Sequence, residues 1–216
     1  MTNDLLFFGR KVCFIGAHPD DIEIGAGALI AHISRDTEVY CITLSDNQKN
    51  PELKSVVDEL KNSMSLLGIE KNNIIIGEFT TRNFQHERQE ILEFLIEFNR
   101  KIQPDIVFTH SRSDIHQDHS TVTEEVLRAF RGTSVFGFDV IRSSYGFFPE
   151  FLVEVNETDV EKKIAALAEY KTYANKYYFD PNTTRAILVR NGAIAERQYA
   201  EGFDILRIIG SFGKLK

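Results

Sequence analysis

The chain has 216 residues, of which 43% are hydrophobic and 26% charged, with a formal net charge of −7. That balance belongs to a folded, soluble protein long enough to bury a substantial core, and it disfavours a nucleic-acid partner bound through phosphate neutralisation. No apolar run approaches the ~20 residues that a membrane span needs, and the apolar cluster at 5–8 follows Asp4 and does not read as a signal peptide, so the expected compartment is the cytoplasm.

Residues 12–15 are continuously apolar and end at Gly16, the pattern of a strand covered on both faces. From 24 to 33, Ile24, Ala28, Leu29 and Ile33 fall at helical spacing. A β-rich run at 38–44 then ends in Ser45, Asp46 and Asn47. Pro51 opens an amphipathic helix with Leu53, Val56, Val57, Leu60, Met64 and Leu67 in one stripe, and Gly68 stands where a helix end wants a left-handed residue. A short strand is expected at 73–76. A helix over 84–101 turns Ile91, Leu92, Leu95 and Phe98 inward and is stopped by Pro104.

The next strand, 105–109, runs into H-S-R-S-D-I-H-Q-D-H at 110–119, where the histidines cluster. Val122, Val126, Leu127 and Phe130 mark a helix ended by Arg131 and Gly132. Strands are expected at 137–142 and 151–155, and Thr158 with Glu161 reads as a capping box for a helix reaching about Tyr170. Beyond Ala186, short strand-like runs alternate with Gly and polar residues and receive no assignment. Phe147, Phe148 and the tyrosines at 170, 173, 177 and 178 read as core, although the tyrosine-rich segment with Lys171 could line a pocket. Cys13 and Cys41, inside strand-like runs, read as buried reduced thiols.

Repeated β-then-α alternation without a linker predicts one α/β domain over 1–216 with a mainly parallel sheet. In such sheets the functional loops gather at the carboxyl ends of the strands. Right-handed connections then bring the turns at 18–21, 45–47 and 110–119 to one edge. His18, Asp21 and His119 would supply two imidazoles and a carboxylate with a fourth position open, the arrangement of a catalytic zinc site rather than a structural one. Asp20 is the candidate general base. His116, one helical turn before His119 if that segment is helical, could donate to an oxyanion or a leaving amine. Asp118 could fix the tautomer of a neighbouring histidine.

Taken singly, each residue has a plainer reading. His18 fits a polar turn, Asp20 and Asp21 fit a helix start, and the spacing of His116 and His119 is not the i,i+4 pair of zincins. Their joint arrival on two loops at one sheet edge is what points to a site. His110 stands between an orienting role and a spacer, while His32 and His86 read as surface or packing residues. Two rivals follow from the same residues. A two-metal phosphoesterase would recruit Asp46 and Asp114. A dinucleotide-binding turn would need G-x-G-x-x-G where this chain has G-A-H-P-D-D.

A-H-P-D-D-I-E-I-G at 17–25, together with D-I-H-Q-D-H at 114–119, resembles the paired motifs of the PIG-L/LmbE-like de-N-acetylase superfamily, and Y-A-E-G-F at 199–203 also looks familial. The resemblance implies a Rossmann-like three-layer α/β domain that removes the N-acetyl group from an N-acetylglucosamine-type sugar or sugar conjugate. It implies zinc, or another divalent first-row metal, held by His18, Asp21 and His119. It makes Asp20 the base that activates water, gives His116 the tetrahedral intermediate or the leaving amine, and has Asp118 support His116. The chain departs from the pattern at Gln117, where proline is common, and at G-A-G-A over 25–28, where a Gly-Gly pair is usual. The loop after Ser45 also lacks the Gly/Arg-rich look of many members. Arg82, Arg112, Arg142 and Lys171 are candidates to hold an anionic group of the substrate, and each also reads as a solvated surface charge. The expected partner is a small acetamido sugar, with no nucleic acid and no membrane span, and with a homo-oligomer left open.

Overall fold

The computed structural model describes residues 7, 9–47, 50 and 53–210. Seven strands form one sheet in the order β3-β2-β1-β4-β5-β7-β6. The strands are β1 (Lys11–Gly16), β2 (Glu38–Thr43), β3 (Ile74–Ile76), β4 (Ile106–His110), β5 (Ser134–Phe138), β6 (Phe151–Glu154) and β7 (Ala200–Arg207). The first five are parallel, and β7 runs antiparallel between β5 and β6. The helices are α1 (Asp21–Ile33), α2 (Val56–Leu66), α3 (Arg88–Ile102), α4 (Gln117–Ala129), α5 (Glu157–Ala168) and α6 (Pro181–Ile194).

Strand β1 shows why the chain adopts three layers. Val12 and Phe14 belong to the apolar cluster that α1, α2 and α5 cover, while Cys13 and Ile15 belong to the one under α3 and α4. Alternate residues of one strand thus serve two cores, and a continuously apolar run is the sequence that allows it. Both cysteines are buried and free.

Several boundaries differ from the sequence reading, each for a local reason. The strand expected at 137–142 is β5, four residues earlier in its end: past Phe138 the chain turns, with Ser143 N–H donating to the Val140 carbonyl at 2.8 Å. Helix α3 starts at Arg88 because 80–87 is spent on successive turns that bury Phe84. The capping box of α5 is Asn156 with Asp159, not Thr158 with Glu161: Asn156 is extended, accepts from Asp159 N–H, and receives the Asp159 carboxylate at its own N–H. Gly68 has the left-handed φ of 89° expected of it. Pro51, read as a helix start, lies outside the described residues, and α2 proper begins at Val56. The unassigned tail contains α6 and β7. Phe148 is exposed rather than core, and so is Tyr177, whereas Tyr170 is buried.

In chain order the sheet grows from β1 outward through β2 and β3, then restarts on the other side of β1 with β4. The crevice between β1 and β4 at their carboxyl ends is therefore the switch point where α/β sheets bind ligands. Loops 17–20 and 111–116 flank it.

Candidate metal centre

The turn after β1 and the start of α4 meet across this crevice. His18 Nδ1 lies 3.2 Å from His119 Nε2, and Asp21 Oδ2 lies 3.4 Å from each of those two nitrogens. Asp21 also accepts the backbone N–H of His18 at 2.8 Å, which closes the turn.

Hydrogen bonds fix the tautomer of each ring, since an ionised carboxylate can only accept and a backbone N–H can only donate. His18 Nε2 donates to Asp118 Oδ2 at 2.9 Å, leaving the Nδ1 lone pair to face inward. His119 Nδ1 donates to Asp114 Oδ2 at 2.8 Å, leaving the Nε2 lone pair to face inward. His110 Nε2 instead accepts Ala17 N–H at 3.0 Å, so that lone pair is used. His116 Nδ1 accepts Asp118 N–H at 3.2 Å as the N-cap of α4, so its proton sits on Nε2.

The described residues bring three possible donor atoms together in two groups, His18 with His116 and His119, and Asp21 with His110 and His119. The lone-pair count reduces these to His18, Asp21 and His119. Two lone pairs 3.2 Å apart require a cation between them, a proton or a metal ion. Three donors spaced 3.2 to 3.4 Å also match a tetrahedral ion with bonds of ~2.0–2.1 Å, which separates its ligands by roughly 3.3–3.4 Å. The donor set fits a divalent first-row metal.

Without the metal, burial works against charge on His18, but the hydrogen bonds to Asp118 and Asp21 outweigh it and push its pKa up to about 9. Burial also opposes charge on Asp21, and the surrounding histidines overcome that and lower it. Burial, then the Asp21 charge, pushes Asp20 well up. His110 is driven well down, and His116 down to about 4, in both cases chiefly by burial.

Asp20 makes no side-chain cap to α1 and takes φ 101°, a conformation L residues rarely adopt. It stands at the helix start, as the plainer reading has it, but spends no side-chain hydrogen bond there. A buried, strained, uncapping carboxylate at a crevice is a candidate for chemistry. Glu23 points the other way, into the core, where it accepts from Tyr170 OH at 2.6 Å.

Asp118 departs from its expected support of His116. Its carboxylate holds His18 and accepts Arg82 N–H at 2.6 Å, and only its backbone N–H reaches His116. Asp114, which the two-metal rival would recruit, is engaged elsewhere. Its two oxygens take His119, His116 N–H, Ser143 and Ser144, leaving it an orienting carboxylate and not a spare ligand for a second metal. His110 is fully buried, accepts the Ala17 N–H of the first turn and is stacked on His119 at 3.9 Å between ring centroids. Its stem position at the end of β4, one strand from β1, was the available signal.

A cavity of about 700 Å³ opens over this floor, lined also by Asp20, His116, Arg142 and Tyr178. Residues 13–130, more than half the chain, match the family described as PIG-L, GlcNAc-PI de-N-acetylase. The chain belongs to that family.

Both motifs that build the centre lie inside the matched PIG-L segment, and the family match with its deacetylase relatives supports a hydrolytic N-deacetylase. The chain is 28% identical over 172 residues to the uncharacterized deacetylase YaiS of Escherichia coli (strain K12), covering 76% of this chain and 91% of that one. Among solved structures it resembles the N,N'-diacetylchitobiose deacetylase of Pyrococcus horikoshii, with TM-score 0.77, 21% identity and 96% and 89% of the two chains covered. It also resembles GalB, the 4-carboxy-2-hydroxymuconate hydratase of Pseudomonas putida KT2440, with TM-score 0.73, 18% identity and 94% and 100% covered. The fold alone thus carries more than one reaction, and the reaction must be argued from the site. No helix among the described residues is long and apolar enough to cross a membrane.

Proposed function

We propose that this PIG-L member hydrolyses the acetamide of an N-acetylglucosamine-type sugar or sugar conjugate at one divalent metal, zinc by preference, held by His18, Asp21 and His119. The observation that carries the reading is the trio of inward lone pairs, 3.2 to 3.4 Å apart, on the floor of a cavity of sugar size. Two histidines and one carboxylate suit zinc, and the family description supports an acetamido sugar as substrate.

Bound there, a divalent ion supplies Lewis acidity toward the acetyl carbonyl and the attacking water. Asp20 takes the proton of that water, being a cavity-lining carboxylate not spent on capping α1. His116 presents Nε2–H to the oxyanion that develops, because its Nδ1 is tied to the α4 backbone. Asp118 and Asp114 keep the rings of His18 and His119 in the tautomers that leave their lone pairs free. The orientation of His116 favours oxyanion stabilisation as its first role. The commitment of Asp114 speaks against a two-metal phosphoesterase.

The test is a screen of N-acetylated sugars with and without chelator, reading amine release. Release from at least one acetamido sugar, abolished by chelator and restored by zinc, is the expected result. No chelator-sensitive release from any of them would remove the reading.

A further inference from the structure

One wall of the cavity is made by a segment with little regular structure of its own. Between α5 and α6 the chain forms two single 3-10 turns, Lys171–Tyr173 and Tyr177–Phe179, and turns this short give little mutual support. Yet Thr172, Tyr173, Lys176 and Tyr178 of this strap line the cavity. Its position has to be set by what it is tied to.

The two ends are tied into the core. Tyr170 is buried with its hydroxyl on Glu23, and Phe179 is buried against the rings of Tyr170 and Tyr173, at 5.7 and 5.5 Å between centroids. Residues 174–177 between them are exposed. Thr172, a lining residue, is gripped from α2. Its N–H reaches both oxygens of the Glu59 carboxylate, at 3.2 and 3.4 Å, and its hydroxyl donates to the same carboxylate at 3.0 Å. Ser55, the N-cap residue of α2, makes no side-chain cap and instead donates to Glu59 at 3.1 Å.

Glu59 is buried, and these donors are all neutral. A carboxylate withdrawn from water among neutral partners is a poor source of net stability. Charge-assisted hydrogen bonds do supply direction, which apolar contact lacks. Glu59 does not itself line the cavity.

We propose that Glu59 is a positioning residue for the substrate, a clasp that holds the 170–179 strap in place as the wall receiving the body of the sugar, while the metal floor works without it. The proposal rests on the deacetylase reading and adds to it a residue of α2 that lies outside both motifs. Apparent affinity then falls with the fraction of molecules whose wall is in place, and substrate that does bind is hydrolysed at an intact floor. Loss of Glu59 should therefore appear in KM and leave kcat.

The experiment compares the parent, Glu59→Ala and Glu59→Gln, zinc-loaded, on acetamido sugars including N-acetylglucosamine and N,N'-diacetylchitobiose. It reads kcat, KM, zinc affinity by chelator competition, and amide hydrogen exchange over 170–179. In Glu59→Ala, KM should rise by about tenfold, the factor carried by one charge-assisted hydrogen bond. Its kcat and zinc affinity should hold, and the 170–179 amides should exchange faster. Glu59→Gln keeps an oxygen acceptor toward Thr172 and should recover most of the KM. Should Glu59→Ala not fold, Glu59→Asp, whose carboxylate stops one methylene short, carries the same test. A merely structural role would lower Tm and the active fraction without moving KM, and that outcome, or a fall in kcat at unchanged KM, would overturn the proposal. Amine release from none of the sugars by the parent would instead strike the deacetylase reading. Faster exchange over 170–179 in Glu59→Ala at unchanged zinc affinity would then still support the clasp, and unchanged exchange would overturn it.

Discussion

Helix α1, which carries Asp21 at its first position, is gripped from behind by a buried ion pair. Lys163 Nζ donates to Glu201 Oε1 and to the Ile24 carbonyl, each at 2.6 Å, and Glu201 receives the N–H groups of Leu29 at 2.6 Å and Ala28 at 3.2 Å. The two side chains are only 5% and 3% exposed. Lys163→Met would leave the Glu201 charge buried without its cation, which costs about 3–5 kcal/mol. In a chain of this size each kcal/mol moves Tm by roughly 2–4 °C, so a fall of roughly 6–20 °C is expected. Urea unfolding of the metal-free protein measures the same loss as a shifted midpoint at unchanged slope. Replacing both residues by Met removes the uncompensated charge, and the double variant should recover most of the loss. A Lys163→Met midpoint equivalent to less than about 1 kcal/mol of destabilisation would refute the reasoning, because the penalty is set by the unpaired partner.

Asp20→Ala should keep its metal while turnover falls by about 10²–10⁴-fold, whereas His119→Ala should lose the metal itself; bound metal by atomic absorption beside amine release separates the two, and unchanged turnover in Asp20→Ala would sink its role as base. Gly25→Ala should destabilise, since an added Cβ would stand 2.3 Å from the Phe138 ring, itself fully buried; an overpacking cost of about 1–3 kcal/mol exceeds the ~1 kcal/mol that alanine gains in a helix, and a urea midpoint that rises would contradict it.

The layers and the site edge were legible because both rest on strong local signals. A continuously apolar β1 ends at a turn with three ionisable groups, and amphipathic stripes such as that of α3 need only a period of 3.6. What stayed hidden depended on partners far along the chain. Nothing around Asp114 says that its oxygens are divided among His119, His116 N–H and Ser143. Strand β7 alternates less clearly because it buries Glu201 for the sake of Lys163 and α1. Helix α6 buries few residues and its apolar face is weakly marked, so its start shows only in the Asp180 cap and Pro181. The two glycines within 25–28 find their reason in three dimensions: Gly25 lies under Phe138, and Gly27 under the Lys163 stem.

The insertion of β7 between β5 and β6 has a bearing on how the protein is made. Glu201 reaches back across 173 and 172 positions to the α1 backbone, and among the described residues β6 has β7 as its only ladder in the sheet. During synthesis, the frame behind the first motif cannot close until the ribosome has passed β7, long after His18, Asp21 and His119 have emerged. Contacts of such sequence separation slow folding. The brace that fixes α1 is therefore supplied by residues made after all three metal-binding side chains, and ordering of the catalytic turn waits on β7.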